Sequence, residues 1–278
     1  MHHPIITKLC ACLLLMTLVG FGTAQAADKT KVLYFTHEPG RWHDYTTQKA
    51  KFSEIAEDAG WDLTIQTGEH HAQMEWLHTK DYSKGYDVLV YNFCFANDTD
   101  LEACNNLITQ TRDNGVPAVL IHCAMHSWWP TYKKGDSAIE GAHPSAKSNK
   151  DMIDKWKAAH ADTPYPVWGD FTGVASVRHG PHKPITITKT KDHPITKRLP
   201  EGFTTKNTEL YNNHYVTDTV EALANGKQGD ANAIVLWLNP QGKSQIMGFS
   251  VGHGTSDWEA EAFQHLLIDG VNFLAEEK

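Results

Sequence analysis

The sequence predicts an α/β protein built on a single doubly wound, mostly parallel sheet of flavodoxin-like type, with helices on both faces. Three observations predict it. Short apolar runs alternate with helix-period segments four times between residues 31 and 122. The runs are continuously apolar, as strands covered on both faces must be. Further apolar runs and one long amphipathic segment follow, with no repeat, low-complexity tract or Pro/Gly/Ser-rich linker to divide the chain.

Each element has a local reason. "KVLYFT" (31–36) is a short apolar strand, and "HEPGRWHD" is the loop after it. Asp44 or Thr46 can cap a helix running to about Ala59, with Phe52, Ile55 and Ala59 on one face. "WDLTIQTG" and "YDVLVYNF" read as the second and third strands. In "DTDLEACNNLITQTRDNG", Leu101, Cys104, Leu107 and Ile108 recur at helical spacing, and Gly115 is placed for the C-terminal turn. "VPAVLIH" is the fourth strand. "ITITKT", "ANAIVLWLN" and "SQIMGFSVG" read as later strands, with "NPQG" predicting a hairpin at one side of the sheet. "SDWEAEAFQHLLIDGVNFLAEE" reads as one long final helix capped by Ser256.

The first 26 residues stand apart. A short basic leader, an apolar run and the small-residue pattern "TAQAA" describe a secretory signal peptide cleaved after Ala26. The apolar run is shorter than the roughly 20 residues a membrane anchor needs. The expectation is therefore a periplasmic or secreted protein with one domain over 27–278, not an integral membrane protein. The formal net charge is −8, which makes nucleic acid an unfavourable partner. Cys94, Cys104 and Cys123 remain beyond the leader. An odd, sparse set argues against a disulfide framework while leaving room for one bridge. No glycine-rich dinucleotide fingerprint follows the first strand, so no nucleotide cofactor is expected.

In open α/β sheets, ligands bind beyond the carboxyl ends of the strands. That rule points to "THEPGRWHD" and to "HCAMHSWW", which ends the fourth strand. Cys123 there is one candidate nucleophile, but it lacks adjacent glycines and a later H-x-E pair. His122 and His126 are four residues apart, a spacing that can place two imidazoles on one face. "RHGPHKP" adds His179 and His182, and "GRWHD" adds His43. Trp42, Trp128 and Trp129 can form a stacking wall for a sugar, with His126 beside them; plain core packing is the alternative for each tryptophan.

The chain resembles the ThuA-like (trehalose utilisation) family, which shares the class I glutamine amidotransferase-like fold. "KVLYFTHEPGRWHD" is similar to the family's opening strand and "RHD"-type loop, and "AVLIHCAMHSWW" to its "GIHAA" turn. "VWGDFTGVASVRHGPHKPITI", "DHPITKRLPEGFTTKNTELY" and "QIMGFSVGHGTSDWEAEAFQHLLIDGVNFLA" resemble its later segments in order. The resemblance puts the family's polar positions on His43, His122, His182, Glu209 and His253. Ile121 stands where the family has glycine, Thr208 where it has aspartate, and Lys183 where proline is common.

The resemblance implies carbohydrate catabolism around 3-keto glycosides, by a lyase or hydrolase. A C3 ketone acidifies the C2 proton, so a base can remove it and the C1 glycosidic oxygen can leave. His122, Glu209 and His43 are the expected catalytic groups. His122, His182 and His253 are the expected ligands of a divalent, zinc-like metal ion. The expected partner is a small-molecule sugar. Two alternatives stay open: a non-catalytic sugar-binding or accessory module, and an amidotransferase-like hydrolase working through Cys123.

Overall fold

The computed structural model describes residues 28–134, 137–138 and 150–277, besides Met1. The expected signal peptide lies outside the described residues. Nine strands form the main sheet: β1 (Lys31–Thr36), β2 (Asp62–Gln66), β3 (Val88–Asn92), β4 (Ala118–Ile121), β5 (Thr186–Lys189), β6 (Phe203–Thr204), β7 (Glu221–Gln228), β8 (Ala231–Gln241) and β9 (Ser244–Phe249). Their order is β2-β1-β3-β4-β9-β8-β7-β5-β6. β2, β1, β3, β4 and β9 pair in parallel, and the remaining pairings are antiparallel.

Alternation along β1 shows how the sheet is covered. Val32 and Tyr34 join one core with Phe52 and Ile55 of α1 (Tyr45–Ala59) and with Leu267 and Val271 of α7 (Glu261–Glu276). Leu33 and Phe35 point the other way. They join Met74 of α2 (His70–Trp76), Leu107 of α3 (Leu101–Arg112) and Phe171 of α5 (Trp168–Thr172). The predicted doubly wound architecture is thus present. α4 (Lys150–Ala159) buries Ile153 and Trp156, and α6 (Thr255–Trp258) buries Asp257 and Trp258.

Local chemistry fixes the boundaries. Asp44, not Thr46, caps α1: its carboxylate accepts from the Thr47 N–H at 3.0 Å. Gly60, at φ +74°, ends that helix in the left-handed region that glycine adopts without steric cost. α3 stops at Arg112, and Gly115 makes its positive-φ turn two residues beyond the Asp113 cap.

Several details differ from the sequence expectation, the short α4, α5 and β6 among them. α2 and β7 were not expected: α2 has only seven residues, and β7, "EALANGKQ", lacks a strong apolar run. The hairpin at "NPQG" lies inside the sheet, because β9 continues past it to pair with β4. The final helix is two helices broken at Glu259–Ala260, and Ser256 caps neither. The break lets buried Trp258 donate to the Gly252 carbonyl at 3.0 Å and Asp257 accept the Gly252 N–H at 3.1 Å. No helix among the described residues is long and apolar enough to cross a membrane.

Candidate functional site

Parallel register brings the site together. Ile121 at the end of β4 pairs with Phe249 at the end of β9, so His122 and Ser250 emerge side by side at the carboxyl edge. His122 then turns sharply, at φ +49°. That backbone region costs a non-glycine residue of order 1–3 kcal/mol and gathers at functional sites. The arrangement, a strand end turning abruptly to present one side chain, is that of a nucleophile elbow, with an imidazole as the displayed group.

The His122 ring is oriented by backbone. Its Nδ1 lies 2.7 Å from the Ser250 carbonyl, which can only accept. Nδ1 therefore carries the hydrogen, and in the neutral ring Nε2 offers its lone pair. Nε2 lies 3.2 Å from His253 Nδ1, 3.1 Å from the Tyr211 hydroxyl and 3.5 Å from Glu209 Oε2. Burial, reinforced by Glu209, pushes the Tyr211 phenol well above its ordinary range, so it stays a donor.

Glu209 is the hub. Residues 179–183 and 208–211 run antiparallel, with Gly180 N–H donating to Leu210 O and Lys183 N–H to Thr208 O. Glu209 Oε1 accepts from His182 Nε2 at 2.7 Å and lies 3.3 Å from His179 Nδ1. Oε2 is 3.3 Å from His253 Nδ1. Burial alone raises a carboxyl's pKa, but the neighbouring His122 and His253 outweigh it and hold Glu209 well below the usual carboxylate range.

His43 closes the group from the loop after β1. Its ring centroid is 5.0 Å from that of His122 and 4.9 Å from that of His253. Nδ1 contacts the Tyr45 hydroxyl at 3.2 Å, while Nε2 is buried without a hydrogen-bond partner. Burial, then the neighbouring His122 and His253, hold this imidazole well below its ordinary pKa, so it is neutral. One ligand atom from each of His43, His122, Glu209 and His253 lies within 4.8 Å of the others. Three imidazole nitrogens and one carboxylate oxygen suit a divalent, zinc-like ion, which could act on a substrate oxygen by expanding to a fifth position. An unpartnered buried Nε2 facing that group fits the same reading.

The family follows from these residues in this order. A family model described as trehalose utilisation (ThuA) matches residues 31–274. The chain belongs to the ThuA family. The fold also resembles a ThuA-like protein from Bacteroides uniformis, at 16% identity over 92% of this chain and 95% of that one, with a TM-score of 0.62. A ThuA-like protein from Parabacteroides merdae matches at 15% identity over 90% and 91%, with a TM-score of 0.64. The glutaminase domain of Trypanosoma brucei CTPS is more distant, at 9% identity and a TM-score of 0.47, over 90% of this chain and 95% of that one. No curated protein sequence matches.

The structure gathers His43, His122, Glu209 and His253, and it revises three expectations. His182 is half exposed and bonded to Glu209, outside the convergent group, so His43 replaces it among the ligand candidates. Trp128 is fully buried against Phe93, Phe95 and Trp168, so it is core and no part of a sugar-stacking wall. Cys123 is bonded to Cys94, across a Cα–Cα distance of 5.0 Å. It holds no free thiol, which removes the reading of Cys123 as a nucleophile. Trp42, Trp129 and His126 do line the cleft, a space of about 490 Å³ in front of the quartet.

Sequence reasoning left Tyr211 and the role of His179 unread. Tyr211 sits two residues from Glu209 within "ELY", and His179 three before His182, so proximity to a chosen residue was the available signal.

Proposed function

We propose that this ThuA-family protein is a metal-supported enzyme that opens 3-keto glycosides by removing the C2 proton and expelling the C1 substituent. The observation that carries the reading is the convergence of His43, His122, Glu209 and His253, with His43 Nε2 buried and unpartnered. These four residues would hold a divalent ion, which would supply Lewis acidity toward the C3 ketone oxygen, where negative charge builds as C2 loses its proton.

The chain's own groups do the remaining work. His179 lines the cleft, and its Nδ1 donates to the Gly180 carbonyl at 2.8 Å, with Glu209 Oε1 at 3.3 Å. That fixes Nδ1 as the donor and leaves Nε2 as the base for the C2 proton. The C2–H electron pair becomes the C1–C2 double bond as the C1–O bond breaks. The departing oxygen takes a proton, so an alcohol and an unsaturated keto sugar result without any added oxidant. Tyr211, kept protonated by burial, donates within the cleft. Trp42 and Trp129 offer ring faces to the sugar.

Export is part of this reading. The charged, apolar and small-residue pattern of residues 1–26 supports it, and so does the Cys94–Cys123 bridge, since disulfides persist in oxidising compartments.

A 3-keto glycoside deuterated at C2 tests the chemistry. The expected result is release of the alcohol with a primary isotope effect, and a fall of about 10²–10⁴-fold in turnover for His179→Ala. A sugar that binds in the cleft but is never turned over would favour the non-catalytic binding module instead.

A further inference from the structure

The Cys94–Cys123 bridge lies against the quartet. Both cysteines line the quartet's cleft, Cys123 buried and Cys94 partly exposed. Their sulfurs and one ring nitrogen of His43 all lie within 4.8 Å of one another. His43 Nδ1 is engaged with the Tyr45 hydroxyl at 3.2 Å, whereas Nε2 is buried without a hydrogen-bond partner. Nε2 is thus the atom left for an ion. The remaining cysteine, Cys104, is buried in the core on α3 and takes no part.

We infer that Cys94, Cys123 and His43 form a second metal site, present when the bridge is reduced, for a thiophilic ion such as zinc(II). Two thiolates and one imidazole are a donor set that zinc accepts with its fourth position open. Thiolates also favour such an ion over the hard cations that oxygen ligands select. The step balances with a dithiol as reductant. The dithiol's sulfurs close into a disulfide, the Cys94–Cys123 bond opens, and two protons pass to the cysteines. A divalent ion that binds both sulfurs then releases those protons to solvent.

The two sites share His43. Because Nε2 serves one ion at a time, the reduced pair draws His43 away from the quartet and the closed bridge returns it. Formation of the bridge therefore commits His43 to the quartet. The second site stands without the glycoside reading; only this competition rests on the quartet holding an ion.

Cobalt(II) titration of the purified protein, before and after reduction by a phosphine, tests the site. The phosphine supplies no thiol to the metal and leaves as its oxide, with the oxygen of water. The expected result is a sulfur-to-cobalt charge-transfer absorption at one equivalent in the reduced protein alone. Cys94→Ser and Cys123→Ser should each reduce that band by half or more. His43→Ala should weaken its titration at least about tenfold, the lower bound for losing even an outer-shell partner. Cys104→Ala and His253→Ala should keep it. Absence of the band in reduced protein of unchanged circular dichroism, or its survival in full in both serine variants, would overturn the site. Loss of the fold on reduction would overturn it too, since only the fold joins the three ligands. Reduced protein that holds this ion and the quartet's together would overturn the sharing of His43. The oxidised protein reads the quartet by itself, which keeps failure of that site distinct from failure of this one.

Discussion

His122 is held from both ends, by the strand that precedes it and by the Ser250 carbonyl on Nδ1, so its Nε2 has one direction to face. His43→Ala, His122→Ala and His253→Ala should therefore each abolish stoichiometric metal binding after dialysis, measured by elemental analysis. His182→Ala should retain the ion at an affinity lowered by no more than about 10–100-fold, because it acts only through Glu209. Retention of metal by all three ligand variants would dissolve the quartet. At this scale much was legible. Family resemblance placed His43, His122, Glu209 and His253, but which four converge depends on loop positions that no residue-type pattern encodes. His182 and His43 are both loop histidines, and only packing tells them apart.

A second residue prediction concerns pH. Burial, then the neighbouring His70, lowers the His37 imidazole to about 4 in the folded protein, against 6.5 for the free side chain; the Pro39 backbone and Glu38 act weakly the other way. Between those values the unfolded chain binds the proton and the folded one does not. Folding stability is then fully present above pH 6.5 and is lost as pH falls toward 4. Thermal unfolding at pH 7, 5.5 and 4.5 should show a falling midpoint, and His37→Gln should flatten the dependence. An identical slope in the variant would show that other groups carry it.

Between elements, the Cys94–Cys123 bridge joins the loop after β3 to the turn after β4, across a sequence separation of 29 residues. Closing a loop of that length constrains the unfolded chain by about 3–4 kcal/mol. The double Cys→Ser variant should therefore unfold at clearly lower denaturant, read by circular dichroism. An unchanged midpoint would remove the bridge as a structural tie. Another tie runs through α1. Gln48 Nε2 donates to the carbonyls of Gly252 and His253 at 3.3 and 3.0 Å, while its Oε1 accepts from Asn92 at 2.8 Å. Gln48→Leu should weaken metal affinity through the His253 loop without touching a ligand atom. The helix itself was legible from its cap and apolar face, whereas this cross-sheet tie was not, because a buried glutamine has no sequence signature.

Across the molecule, the parallel half was readable because strands covered on both faces must be apolar throughout, and because local caps fix α1 and α3. The antiparallel half was harder. β7 is rich in Ala, Asn, Gly and Lys and is a strand chiefly because β8 and β5 flank it. Packing there is exacting: a Cβ on Gly248 would lie 2.1 Å from the Trp237 ring. Gly248→Ala should cost about 1–3 kcal/mol by overpacking, seen as a lower melting temperature. The site lies where these halves meet, at the ends of β1, β4 and β9, with Glu209 delivered by the segment between β6 and β7 of the antiparallel half. The central claim is that this junction holds a divalent ion needed for reaction on a 3-keto glycoside. The most direct measurement is metal content and turnover of one natively purified sample, before and after chelation. One equivalent of a divalent ion is expected, with activity lost on its removal and restored on its return. Turnover that persists in fully chelated protein would contradict it.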